Sequence, residues 1–155
     1  MPRVRVYVDT SVFGGVLDDE FKTPSKVFFD QIRHHQFILV TSAVVQEEIV
    51  IAPQPVQELF QEVLLSAEVI DVKENALKLR DAYLKAKVVS SKHSDDALHV
   101  ALATVGGCSM IVSWNFRHIV HFEKISLYNA INAKQGYKQI AIFSPLEVIR
   151  YEETI

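Results

Sequence analysis

Short apolar runs rich in β-branched residues recur along this chain, and longer stretches with helical periodicity separate them. The runs are RVRVYVD at 3–9, FILVT at 37–41, AEVIDV at 67–72, SMIVSW at 109–114 and QIAIF at 139–143. Between them, apolar residues return every three or four positions and predict helices at about 24–35, 42–51, 54–66, 73–87, 94–105 and 123–134, with a last short helix after Pro145. Strands that alternate with helices pair in parallel, because each helix carries the chain back to start the next strand. The pattern therefore predicts an α/β fold around a central, mostly parallel sheet of about five strands.

At 155 residues the chain is one domain's worth, with enough length to bury roughly two-thirds of its unfolded surface. No repeat, low-complexity tract or Pro/Gly/Ser-rich linker divides it, and the punctuation APQP at 52–55 separates two helices rather than two domains. A single domain over 1–155 is expected. With 49% hydrophobic residues the composition is globular. Cys108 is the only cysteine, which rules out an intrachain disulfide and a multi-cysteine zinc site, and the first residues lack the apolar core of a signal peptide. No apolar run reaches the roughly 20 residues of a membrane span. These features predict a cytoplasmic protein without a membrane role. The net charge of −3 gives no overall basic footprint, so any role on nucleic acid has to rest on a local site.

The residues at the strand ends are the unusual ones. VYVDTSVFGG places Asp9 at the carboxyl end of the first strand, with Thr10 and Ser11 directly after it. Open parallel sheets put their ligand crevice at that edge, although Asp, Thr and Ser also start turns and cap helices. In TSAVVQEEIVIA, steps of about 100° place Glu48 in the apolar arc between Val44 and Ala52, beside Val45 and Ile51, whereas Glu47 lies nearer the polar edge. A carboxylate on a buried stripe has to be neutralised, paired or metal-bound, or else reach water along its stem. In HSDDALHVALATVGG, Ser94 is a candidate N-cap with Asp95 and Asp96 in the first turn; Asp96 shares a side with Val100 and Ala103, and Asp95 shares the other flank with His99. In SWNFRHI the fourth strand ends on a neutral polar residue, Asn115. Parallel topology gathers these ends at one edge, and crowded carboxylates with oxygen-only donors select hard cations such as Mg²⁺ or Mn²⁺. Lys92, His93, Arg117 and His118 flank the third and fourth motifs and could hold phosphates, or be ordinary solvated cations. His99 is assigned a packing or hydrogen-bonding role, and Cys108 none.

Taken in order, YVDTSV, VVQEEI, SDDALHVALA and IVSWNFRHI resemble the PIN domain, with the closest likeness to the toxin ribonuclease of VapBC-type pairs. The resemblance spans roughly residues 4–120 and implies a three-layer α/β/α fold. It also implies metal-dependent hydrolysis of RNA phosphodiester bonds, a cognate antitoxin and a homodimer. Carried over by residue, it puts the acidic metal ligands on Asp9, on Glu48 with Glu47 as alternate, and on Asp96 in preference to Asp95. Asn115 stands where the family has a fourth acid, a departure that bears on a second metal. Two other readings go with these residues. One is a PIN-like module that binds RNA or protein with weak catalysis, and the other is a phosphoaspartyl hydrolase that would use Asp9 as nucleophile and need a lysine such as Lys92 or Lys124.

Overall fold

The computed structural model describes residues 3–151. Its core is a five-stranded sheet in the order β3-β2-β1-β4-β5, built from β1 Val4–Val8, β2 Phe37–Ser42, β3 Glu68–Ile70, β4 Met110–Val112 and β5 Ala141–Phe143. Every pairing is parallel. Burial follows the order of the strands. Val6, Tyr7 and Val8 of the central strand are fully buried, as expected of a strand covered on both faces, while the edge strand β3 exposes Glu68 and Val69.

Among the described residues eight α-helices accompany the sheet: α1 Thr10–Gly15, α2 Lys22–Arg33, α3 Ala43–Ile49, α4 Gln54–Leu64, α5 Glu74–Lys85, α6 Ser94–Val105, α7 Phe122–Lys134 and α8 Pro145–Val148. From β1 the chain moves outward to β2 and β3, then returns past β1 to β4 and β5. Right-handed crossovers put α1–α4 on one face and α5–α7 on the other. The helix contacts agree: α1 packs on α2 and α4, α5 packs on α6 and α7, and α8 comes back to α2. The result is the expected three-layer α/β/α arrangement. Its strand order reverses between β1 and β4, which is where such sheets open a crevice at their carboxyl ends.

Three local readings differ from the structure. The glycines of VFGGV hide α1, which forms directly after Asp9; at Gly15 a Cβ would stand 2.5 Å from Ser25 Oγ and 2.8 Å from Trp114 Nε1, so the close approach of helix and indole requires glycine. α3 stops at Ile49, leaving Ile51 almost fully exposed rather than on an apolar stripe. Ser94 does not cap α6. A single 3₁₀ turn at Ser91–His93 leads straight into the helix, so Ser94 already has helical angles and His93 occupies the cap position.

Candidate active site

Asp9 ends β1 at the reversal point, and its N–H donates to the Val112 carbonyl of β4 at 3.3 Å. Tyr7 pairs with Ile111 and Val8 with Val112, so the register brings Ser113 beside Asp9. Asp9 is buried, with 4% of its surface exposed. Although Asp9 occupies the N-cap position of α1, its side chain makes no capping bond. It instead accepts one short hydrogen bond on each oxygen, from Ser11 Oγ at 2.6 Å and from Ser113 Oγ at 2.6 Å. Each of those hydroxyls also accepts a backbone N–H from the segment after β4: Trp114 to Ser11 and Asn115 to Ser113, both at 2.9 Å. A hydroxyl carries one proton, so these backbone donors leave both protons free to point at Asp9.

The indole that anchors this segment stacks on Phe21 with centroids 4.2 Å apart and donates to Ser25 Oγ at 2.8 Å. No Lys, Arg or His among the described residues lies at salt-bridge distance from Asp9. Burial is the main influence on its acidity and pushes the pKa up, with the charge of Asp96 adding to the rise; the charge of His99 and the two hydroxyls pull the other way without cancelling it.

Glu48 comes from α3, whose start is capped by Ser42 Oγ accepting from Val45 N–H. Its Oε1 accepts from Thr10 Oγ1 at 3.0 Å and meets His99 Nε2 at 2.7 Å. The other nitrogen of buried His99 lies 2.7 Å from the Tyr7 hydroxyl, which reaches Ser42 Oγ at 2.8 Å. A continuous polar chain thus runs from β2 through Tyr7 and His99 to Glu48. Burial alone would raise Glu48 and lower His99, but their hydrogen bond and mutual charge outweigh it, so the carboxyl pKa falls and the imidazole pKa rises. Asp9 and Asp96 add to the rise on His99. The neighbouring Glu47 is exposed and takes no part in this chain.

Asp96 stands in the first turn of α6, a quarter exposed, with His93 Nδ1 3.7 Å from its Oδ2. Asp95 is exposed. Asn115 uses its side-chain oxygen to accept the His118 N–H at 2.9 Å, which closes the turn after β4 and leaves the amide N–H₂ as its remaining function. A cleft bordered by Ser11, Asp18, Phe21, Trp114 and Asn115 opens beside it. The larger hollow between α3 and α4, lined by Gln46, Ile49, Val50 and Gln57, contains no strand-end acid.

Asp9, Glu48 and Asp96 all act by charge on His99, Glu48 also by a hydrogen bond, and the Asn115 N–H joins Asp9 through Ser113 Oγ. Their oxygens are not drawn into one tight cluster. Among the described residues the one group of three His, Cys, Asp or Glu side chains with ligand atoms all within 4.8 Å of one another is His93, Asp96 and His118. As donor types, a buried carboxylate with no cation at salt-bridge distance among the described residues, two further carboxylates and an amide suit a hard divalent cation. Ser113 and Tyr7 had no functional sign in sequence. Tyr7 lies two residues before Asp9 and so on the same face of β1, which is the signal that could have joined it to the site.

An open parallel sheet with acids collected at its reversal point defines the structural class. The sequence profile of the PIN domain matches residues 6–123, most of the chain, and the chain belongs to the PIN domain family. No curated protein sequence is close enough to count as a match. Solved structures with the same fold include FitAcB from Neisseria gonorrhoeae, with a TM-score of 0.59 and 13% identity over 92% of this chain and 99% of that one. VapBC2 from Rickettsia felis, bound to a DNA fragment from its promoter, gives 0.54 and 12% over 91% and 98%. Mycobacterium tuberculosis VapC20, a sarcin–ricin loop cleaving toxin, gives 0.51 and 14% over 88% and 98%.

Proposed function

We propose that this chain, as one PIN-like domain over 1–155, is a cytoplasmic Mg²⁺- or Mn²⁺-dependent endoribonuclease and the toxin of a toxin–antitoxin pair, active as a homodimer and restrained by a cognate antitoxin protein. The observation that carries the reading is Asp9: a carboxylate removed from water, given two hydroxyl protons and, among the described residues, no cationic side chain at salt-bridge distance. A buried charge of this kind is costly unless a partner arrives. The family membership and the likeness to VapBC2, FitAcB and VapC20 support a nuclease fold, and VapC20 is a sarcin–ricin loop cleaving toxin. No helix among the described residues is long and apolar enough to cross a membrane.

In this reading Asp9, Glu48 and Asp96 hold the cation. When bound, it supplies an activated water and offsets the charge that develops on the phosphoryl group. Ser11 and Ser113 fix the orientation of Asp9 by donating to both of its oxygens. His99 holds Glu48 ionised and aimed, with Tyr7 and Ser42 fixing the imidazole from behind. Asn115 directs its amide N–H₂ to the substrate phosphate, and Phe116, about half exposed beside the cleft, offers a face on which a base can stack. Lys92 and Arg117, both exposed, are placed to contact flanking phosphates.

Incubation with structured RNA and, separately, with an aryl phosphate monoester, each at rising Mn²⁺, tests the reading. Metal-dependent internal cleavage of RNA with no monoester turnover is the expected result. Monoester turnover alone would favour a phosphoaspartyl hydrolase, and RNA binding without cleavage would make the chain a binding module.

A further inference from the structure

His93, Asp96 and His118 form the tightest group of ligating side chains among the described residues, and the oxygen-donor site does not account for two imidazoles there. The rings of His93 and His118 stack with centroids 3.6 Å apart and planes inclined by 22°, so they present their nitrogens side by side. Asp96 completes the group, with its Oδ2 3.7 Å from His93 Nδ1.

The backbones that carry these rings are fixed. The N–H of His118 donates to Asn115 Oδ1 at 2.9 Å and its carbonyl accepts from the Tyr128 hydroxyl at 2.7 Å. The N–H of His93 donates to the Ser90 carbonyl at 2.9 Å within the 3₁₀ turn. Residues held in this way lose little freedom when they take a ligand. The side chains of His93 and Asp96 are 37% and 25% exposed, so an ion can reach the group from solvent.

We propose that His93, Asp96 and His118 bind a borderline transition-metal ion of the Zn²⁺ class at a second site that shares Asp96 with the oxygen-donor site. Two imidazoles and one carboxylate suit Zn²⁺, Co²⁺ or Ni²⁺ and give little to Mg²⁺, which prefers oxygen and water. Around a tetrahedral ion with bonds of about 2 Å the ligand atoms lie roughly 3.3 Å apart, so side-chain rotations alone close the group from its present spread. Occupancy commits an oxygen of Asp96 to this ion and withdraws it from the oxygen-donor site, so Zn²⁺ lowers Mg²⁺-driven RNA cleavage. That last consequence rests on the nuclease reading, whereas the binding itself does not.

Calorimetric titration of the full chain with Zn²⁺, in buffer containing excess Mg²⁺, tests the site. One Zn²⁺ per chain is expected in the wild type and in Asp9→Asn, with His93→Gln and His118→Gln each weakening binding by more than about tenfold. Far-ultraviolet circular dichroism is run on each variant, and both His variants are expected to keep the wild-type spectrum. Absence of Zn²⁺ binding, unchanged affinity in both His variants, or loss of binding in Asp9→Asn would overturn the proposal. A protein that binds Zn²⁺ as stated but cleaves no RNA under Mg²⁺ or Mn²⁺ would refute the nuclease reading and leave this site standing.

Discussion

Asp9 is a buried acid whose side-chain hydrogen bonds come from two serine hydroxyls. Its pKa is raised chiefly by burial, so the folded chain binds a proton there at a pH where the unfolded chain does not. Stability from this group therefore increases as pH falls through the folded value and levels off near the ordinary aspartate range. Asp9→Asn, which imitates the protonated form, is expected to raise stability by about 1 kcal/mol in metal-free buffer at neutral pH. Urea unfolding with EDTA measures it, and a loss of stability would show that the two serine bonds outweigh burial.

His99 shifts stability in the same pH direction from a different balance of causes. Its pKa is raised because the bond to Glu48 and the charges of Asp9, Glu48 and Asp96 overcome burial. The stability it supplies is complete below the unfolded histidine value of about 6.5 and is lost as pH rises through the higher folded value. The wild-type melting temperature should thus decline between mildly acidic and alkaline pH. His99→Gln should flatten that decline and cost about 2 kcal/mol near pH 6, since it leaves Glu48 and Tyr7 without their buried partner. Asn115→Asp should keep the turn, because a carboxylate also accepts the His118 N–H, but it removes the amide donor and adds a charge. We expect cleavage to slow several-fold at every Mn²⁺ concentration; faster cleavage at low Mn²⁺ would instead assign residue 115 to a second metal.

At the scale of elements, the strands were legible because burial on both faces demands near-continuous β-branched runs, and VRVYV and FILVTS satisfy that demand by themselves. α1 was hidden because two of its six residues are glycines, which disfavour helix locally, and tertiary contact decides the matter. Gly15 is where that contact is tightest. Gly15→Ala drives a methyl toward Ser25 Oγ and the Trp114 indole and should cost about 1–3 kcal/mol in chemical denaturation. Since Trp114 N–H bonds to Ser11, the same substitution should also weaken Mn²⁺ activation of cleavage. A neutral Gly15→Ala would mean that the helix and indole are not held as closely as the structure shows. A helical wheel running to Ala52 separates Glu48 from Glu47, yet α3 ends at Ile49. What turns Glu48 inward is its bond to His99 and Thr10, contacts between distant segments that no local periodicity contains.

For the whole molecule, the strand order is the decisive feature. A sheet that runs outward from β1 and then back to β4 brings residues 9, 48, 96 and 115 to one edge, so the ordered motifs and the topology express the same constraint. Ser113 escaped notice because its role depends on the β1–β4 register, which is a property of the assembled sheet. The net charge of −3 is compatible with action on RNA only if the strand-end acids are offset locally by a cation. The most direct measurement is cleavage of a structured RNA across a Mn²⁺ titration by wild-type chain and by Asp9→Asn, with both shown to be folded by thermal unfolding. Cleavage is expected to require Mn²⁺ in the wild type and to fall at least about a hundredfold in Asp9→Asn at saturating metal. Equal cleavage by the two proteins, or wild-type cleavage that persists in EDTA, would contradict it.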